Sequence, residues 1–235
     1  MRVLAIVHQR DAGPGVFGEE VRERGHALDL WHIAESPAPP AEPLDFDAVM
    51  TFGGAMNVDQ EEEHPWLRGE KELLAELLHR GRPLLGMCLG CQLLSEAAGA
   101  KPRRAREPEI GWHRVELLPE VADDPLLGPL APGFTAFQWH SYEAPLPPDA
   151  VALAQSPVCL QAYRIGDIAW GAQFHAEVSA ADAMHWIEDY RSDPDAVQIG
   201  IDPDALRNET CVAIESWNRL GRELCGRFIE AAARV

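Results

Sequence analysis

Hydrophobic positions in the first hundred residues fall into two alternating kinds of run. Short, largely apolar runs at residues 2 to 8, Ala27 to Ile33, Ala48 to Phe52 and Pro83 to Met87 have the length of strands, and the first is also rich in β-branched residues. Between them, Phe17 and Val21 stand among charged residues before Gly25, which predicts a helix with a glycine stop. Leu67, Leu73, Leu74, Leu77 and Leu78 recur at helical spacing between Pro65 and Gly81, and a further helix is predicted from Gln92 to Ala98. Ser36-Pro37-Ala38-Pro39-Pro40 can continue neither regular structure and marks a surface loop. Parallel strands need crossover connections, so this alternation predicts an α/β fold: a mainly parallel sheet with helices on both faces.

After Gly111 the pattern changes. Strand-like segments at Trp112 to Leu118, Phe134 to His140, Val151 to Gln155, Leu160 to Ile165 and Ile168 to Phe174 follow one another with turn residues between them. They are expected to extend the sheet with antiparallel strands. From Ala180 the chain reads as helical, with a loop near Gly200 and a fresh start at Asp202-Pro203, where aspartate caps and proline takes the first turn. No repeat or linker divides the chain, and one domain over residues 1–235 is expected.

Charge narrows the partners. Acidic residues outnumber basic ones 38 to 20, and the only lysines are Lys71 and Lys101, so no basic stripe exists to neutralise a nucleic-acid backbone. The acidic excess, Glu61-Glu62-Glu63 included, reads as solvated surface. The amino-terminal apolar run is too short to span a membrane and no cleavable signal pattern follows it, so a cytoplasmic protein with no membrane partner is expected. Five cysteines, an odd number, fit free thiols in a reducing compartment. Cys159, Cys211 and Cys225 read as buried small hydrophobes.

Cys88 differs because of its frame. Gly86-Met87-Cys88-Leu89-Gly90-Cys91-Gln92 lies between a buried strand and a helix, where glycines two before and two after let the backbones pass closely in a sharp turn. A thiol there also sits at a helix amino terminus, whose N–H groups and dipole favour the attacking thiolate. The rival reading of Cys88-Leu89-Gly90-Cys91 is a redox pair or half a zinc site, but no second C-x-x-C or Cys/His pair completes a tetrahedral set.

A nucleophilic cysteine needs a base and a group that orients it. Gln173-Phe174-His175-Ala176-Glu177 follows an apolar strand, so His175 is expected at the sheet edge where Cys88 emerges, with Glu177 folding back onto its second ring nitrogen. His175 lacks the helical H-E-x-x-H spacing of a zinc site, and neither metal nor cofactor is expected. Gly53-Gly54, directly after the strand ending at Phe52, offers backbone donors for a developing oxyanion, the expected pair being the N–H groups of Gly54 and Leu89. An ordinary turn is the alternative for the two glycines.

These segments, in this order, resemble the class I (triad) glutamine amidotransferase family. Glu109-Ile110-Gly111-Trp112, Trp139-His140-Ser141 and the helical tail extend the resemblance to a branch of stand-alone proteins similar to the glutaminase domain of GMP synthetase. The resemblance implies a flavodoxin-like fold. It further implies that Cys88 attacks the glutamine carboxamide, that His175 passes its proton to departing ammonia, and that water cleaves a γ-glutamyl thioester. It also implies that Gly53, Gln92, Trp139, His140 and Ser141 help to hold the substrate. Ala176 stands where the family often has proline, and Tyr142 where it often has an acid. The chain has no G-x-x-x-x-G-K-[ST] nucleotide loop. Ammonia from glutamine would therefore pass to a separate synthetase. The alternatives are a stand-alone hydrolase of γ-glutamyl peptides or glutamine analogues, and a non-enzymatic regulatory or binding protein on the same fold.

Overall fold

The computed structural model describes residues 1–235. Nine strands form one sheet in the order β2-β1-β3-β4-β9-β8-β7-β5-β6. The strands are β1 (Arg2–Val7), β2 (Ala27–His32), β3 (Ala48–Thr51), β4 (Leu84–Met87), β5 (Arg103–Leu117), β6 (Gly133–Glu143), β7 (Ala150–Gln155), β8 (Leu160–Ile165) and β9 (Ala169–Ala172). The first four strands and β9 are parallel, and β8, β7, β5 and β6 continue the sheet antiparallel. This is the mixed α/β arrangement that the alternation of runs predicts.

Six α-helices complete the fold: α1 (Gly15–Glu23), α2 (Trp66–His79), α3 (Leu89–Ala97), α4 (Ala180–Glu188), α5 (Pro194–Ile199) and α6 (Pro203–Ala232). The period-two geometry of strands splits the core in two. Val3, Ala5, Met50 and Met87 face Phe17 of α1 and Trp217, Leu224 and Phe228 of α6. Leu4, Ile6, Val49 and Leu84 face Leu67, Leu74 and Leu77 of α2 and Leu93 and Leu94 of α3. Every central strand therefore buries both faces, which is why these runs read as continuously apolar.

Helix starts follow the local chemistry. Asp202 accepts from the N–H groups of Asp204 and Ala205, with Pro203 in the first turn of α6. Ser179 and Asp182 form a reciprocal capping box at α4. Two elements depart from the sequence reading. The strand expected from Trp112 begins at Arg103, with an irregular register between Arg104 and Glu109, and the helical stretch read from Ala180 up to the loop near Gly200 is broken after Glu188, so that it forms α4 and the short α5. Cys159 and Cys225 are buried as expected, but Cys211 is exposed, because its position on α6 faces solvent rather than the sheet. No helix is long and apolar enough to cross a membrane.

The topology decides where chemistry can gather. Order reverses around β1, since β2 lies on one side of it and β3 on the other, and clefts in open α/β sheets form at the carboxyl ends of strands at such a point. Neighbouring strands β1, β3, β4 and β9 end there, and the residues next after them include His8, Gly53, Cys88 and His175.

Candidate active site

Cys88 caps α3 with φ 50° and ψ −108°, a left-handed conformation unusual for a residue with a side chain. The flanking glycines explain how the turn closes. A Cβ on Gly86 would stand 2.6 Å from the Gly90 carbonyl oxygen, and one on Gly90 would collide with the Thr51 carbonyl. Gly90 N–H donates to Phe52 O at 2.9 Å and Cys88 N–H to Ala172 O at 2.8 Å, which ties the turn to the ends of β3 and β9. The thiol lies 3.9 Å from the Trp139 carbonyl oxygen.

His175 reaches the same point from β9. Its Nδ1 is 2.8 Å from Glu177 Oε1, with both side chains buried, and its ring stands with Cys88 against Gly53 at the wall of one cleft. Burial pushes the imidazole down, but the charges of Cys88 and Glu177 and hydrogen bonds to both outweigh it, and His175 is held well above 6.5. The Trp186 indole meets the imidazole edge to face at 4.9 Å and limits its rotation.

Gly53 and Gly54 close the third side. A Cβ on Gly53 would approach His175 Cε1 to 3.0 Å and Cys88 Cβ to 3.7 Å, and one on Gly54 would approach Leu89 Cδ2 to 3.2 Å. Leu89 is the first residue of α3, so its N–H has no carbonyl one turn back within the helix.

A cleft of about 440 Å³ opens over this arrangement. All the residues singled out from the sequence line it except Gly53 and Glu177, which stand behind His175 and Cys88. Trp139 Nε1 donates to Asp193 Oδ2 at 2.9 Å. The Gln92 amide donates to Tyr142 O at 3.2 Å and Gln173 Oε1 at 3.3 Å. The His140 side chain is enclosed: Nδ1 lies 3.0 Å from Tyr142 O and Nε2 3.3 Å from Glu109 Oε2. Its imidazole is therefore turned into the protein, and it bears on the cleft through the Tyr142 backbone. The Tyr142 hydroxyl donates to Asp59 at 3.2 Å.

Glu109, His140 and Cys159 place one metal-ligand atom each within 4.8 Å of one another. Glu109 Oε2 already accepts from Ser156 Oγ at 2.9 Å and Gln161 Nε2 at 2.8 Å, and burial holds the Cys159 thiol far above its ordinary range.

Sequence reasoning missed the outer wall. Asp11, Arg104, Trp186, Asp193 and Asp195 line the cleft, and Arg104 pairs with Asp195 across it. Nothing in their local spacing points there, because Asp193 and Asp195 reach Arg104 only where α5 packs on β5, and Asp11 meets Trp186 only where α4 comes back to the end of β1, the indole donating to the Asp11 carbonyl at 3.0 Å. His8 does carry a signal in the sequence: it is a polar residue directly after the apolar run Val3 to Val7, at the switch-point edge.

The family model for the class-I glutamine amidotransferases matches residues 17–190. The chain is 30% identical over 181 residues to the glutamine amidotransferase-like protein YfeJ of Salmonella typhimurium, covering 75% of this chain and 76% of that protein. It is also 30% identical over 155 residues to a subunit of the glutamine-hydrolysing GMP synthase of Sulfurisphaera tokodaii, covering 64% of this chain and 78% of that protein. Among solved structures, a glutamine amidotransferase from Thermotoga maritima superposes with a TM-score of 0.88 at 30% identity over 98% of both chains.

Proposed function

Because this chain belongs to the class I glutamine amidotransferase family, we propose that it is a single-domain cysteine hydrolase over residues 1–235 that releases ammonia from the glutamine side-chain amide. The observation that carries this reading is that Cys88 and His175, separated by 175 − 88 = 87 positions, line one cleft, with Glu177 bonded to His175 from behind.

The Cys88 thiolate attacks the carboxamide carbon, and the carbonyl oxygen takes up negative charge facing the N–H groups of Gly54 and Leu89. His175, protonated beside Glu177, delivers its Nε2 proton to the nitrogen as the C–N bond breaks, and ammonia departs. A γ-glutamyl thioester remains. Water attacks it while His175 takes the water's proton, and the sulfur leaves as thiolate with glutamate released. The sum is glutamine plus water giving glutamate plus ammonia. Glu177 fixes the ring so that Nε2 faces the sulfur. Gln92, Trp139 and Ser141, with His140 acting behind them, are the proposed walls for the amino-acid end.

Relatives named as synthase subunits favour a separate ammonia-accepting synthetase as partner, in the cytoplasm. One feature favours a second reading, a γ-glutamyl hydrolase: the cleft runs past the triad to Arg104 and Asp193, leaving room for a substituent on the amide nitrogen. Purified protein assayed with glutamine and a panel of γ-glutamyl peptides separates the two. Ammonia from glutamine supports the amidotransferase reading, release of amines or amino acids supports the hydrolase, and no turnover of either would remove both in favour of a binding role.

A further inference from the structure

His8 follows β1 and is buried against Glu70 of α2, with neither side chain exposed. His8 Nε2 lies 2.8 Å from Glu70 Oε2, and Thr51 Oγ1 donates to Glu70 Oε1 at 2.6 Å. The other ring nitrogen, Nδ1, donates to the Gly53 carbonyl oxygen at 3.0 Å. Trp66 stacks flat on the imidazole, with centroids 5.1 Å apart and planes 13° apart. Nε2 faces a carboxylate oxygen and Nδ1 a carbonyl oxygen, both acceptors, so the surroundings call for a donor at each ring nitrogen. Burial pushes His8 down, but the Glu70 charge and the hydrogen bonds outweigh it and raise the imidazole.

A buried ion pair is a poor device for stability alone, since an apolar pair of similar volume does as well. What this one supplies is direction. Gly53 C=O and Gly54 N–H belong to one planar trans peptide, so the two bonds point in opposite senses and fixing one fixes the other. With Gly53 O held on the His8 side, the Gly54 N–H faces away from it. That N–H donates to no backbone carbonyl, and Gly54 lines the cleft together with Cys88 and Leu89.

We propose that His8 and Glu70 are positioning residues for the oxyanion site, holding the Gly53–Gly54 peptide so that the Gly54 N–H is aimed into the cleft beside Cys88. This rests on the reading above, in which Gly54 N–H meets the developing oxyanion. Two glycines would otherwise let the peptide rotate at little energetic penalty. The clamp belongs to the chain itself, so the donor is in place without a partner protein.

The test compares two uncharged double variants. His8→Asn with Glu70→Gln keeps an amide N–H where Nδ1 stands, whereas His8→Leu with Glu70→Leu removes the donor and fills the space. Acylation of Cys88 by p-nitrophenyl acetate develops the same kind of oxyanion whatever the natural substrate, so it reads the clamp separately from glutamine turnover. The leucine pair is expected to acylate about 100-fold more slowly than wild type, the scale of losing one oxyanion donor, and the amide pair to recover most of that rate. With glutamine, the same pattern falls on kcat while KM stays within about threefold. Equal acylation rates in the two variants would overturn the proposal, as would a wild-type Cys88 that does not acylate. If the leucine pair does not fold by circular dichroism, His8→Leu with Glu70→Gln takes its place under the same criteria. Normal acylation with no turnover of glutamine or γ-glutamyl compounds would instead count against the functional reading.

Discussion

The indole Nε1 of Trp217 donates to the carbonyl oxygen of His175 at 2.7 Å, which ties the long terminal helix to the backbone of the proposed catalytic base. Four residues further along α6, Gly221 lies so close to Ala176 that a Cβ would collide with the Ala176 carbonyl oxygen and come within 3.3 Å of Val16. The segment carrying His175 and Glu177 is thus held between α6 and β6, whose Phe137 carbonyl accepts from the His175 N–H at 3.0 Å.

Gly221→Ala tests this clamp. In an ordinary helix interior the change stabilises by about 1 kcal/mol. Here α6 must move off the Ala176 carbonyl, and the variant is expected to lose about 2 kcal/mol in urea unfolding, the scale of an overpacked contact, with a parallel loss of turnover. Stabilisation would show that α6 does not press on this segment.

Cys88→Ala is expected to abolish turnover and leave the fold intact, because the Cβ and the left-handed backbone are unchanged. Cys88→Gly is also expected to be inactive yet more stable than the alanine variant by about 1 kcal/mol, since glycine relieves the strain at φ 50° by more than it adds in chain entropy. Removing the thiolate charge should also lower the titration point of His175, which histidine NMR can follow. An alanine variant with undiminished turnover excludes the mechanism.

A diazoketone analogue of glutamine should label Cys88 and spare Cys91. Burial, with the neighbouring Cys88 and Cys159 sulfurs adding to it, holds the Cys91 thiol far above its ordinary range, and its neighbour Tyr163 is equally enclosed. Peptide mapping by mass spectrometry reads the result, and an adduct on Cys91 would reverse the assignment.

Glu109 predicts a pH dependence. Its burial favours the neutral acid, but hydrogen bonds and charge from His140, together with Ser156, prevail and hold the carboxyl below 4.5. A depressed carboxylate adds stability that is present above the unfolded value of 4.5 and lost as pH falls through the folded value. Denaturation of Glu109→Gln should therefore lose less stability than wild type as the pH is lowered from about 5 toward 3. Parallel curves for the two proteins would show that Glu109 is not the group responsible.

The α/β class, the strands that end at Cys88 and His175 and the glycine frame of the elbow were legible in the sequence, because each rests on local physics: burial on both strand faces, close backbone approach, and proline and aspartate at helix starts. Tertiary structure alone decided the rest. That β9 pairs with β4, so that His175 emerges beside Cys88, is a choice of strand order that no local pattern encodes. The same holds for His8 reaching Glu70, for Arg104 meeting Asp195 over the cleft, and for His140 turning inward to Glu109. These contacts join residues distant in the chain, and burial of the whole sheet, rather than any nearby side chain, determines which of them form.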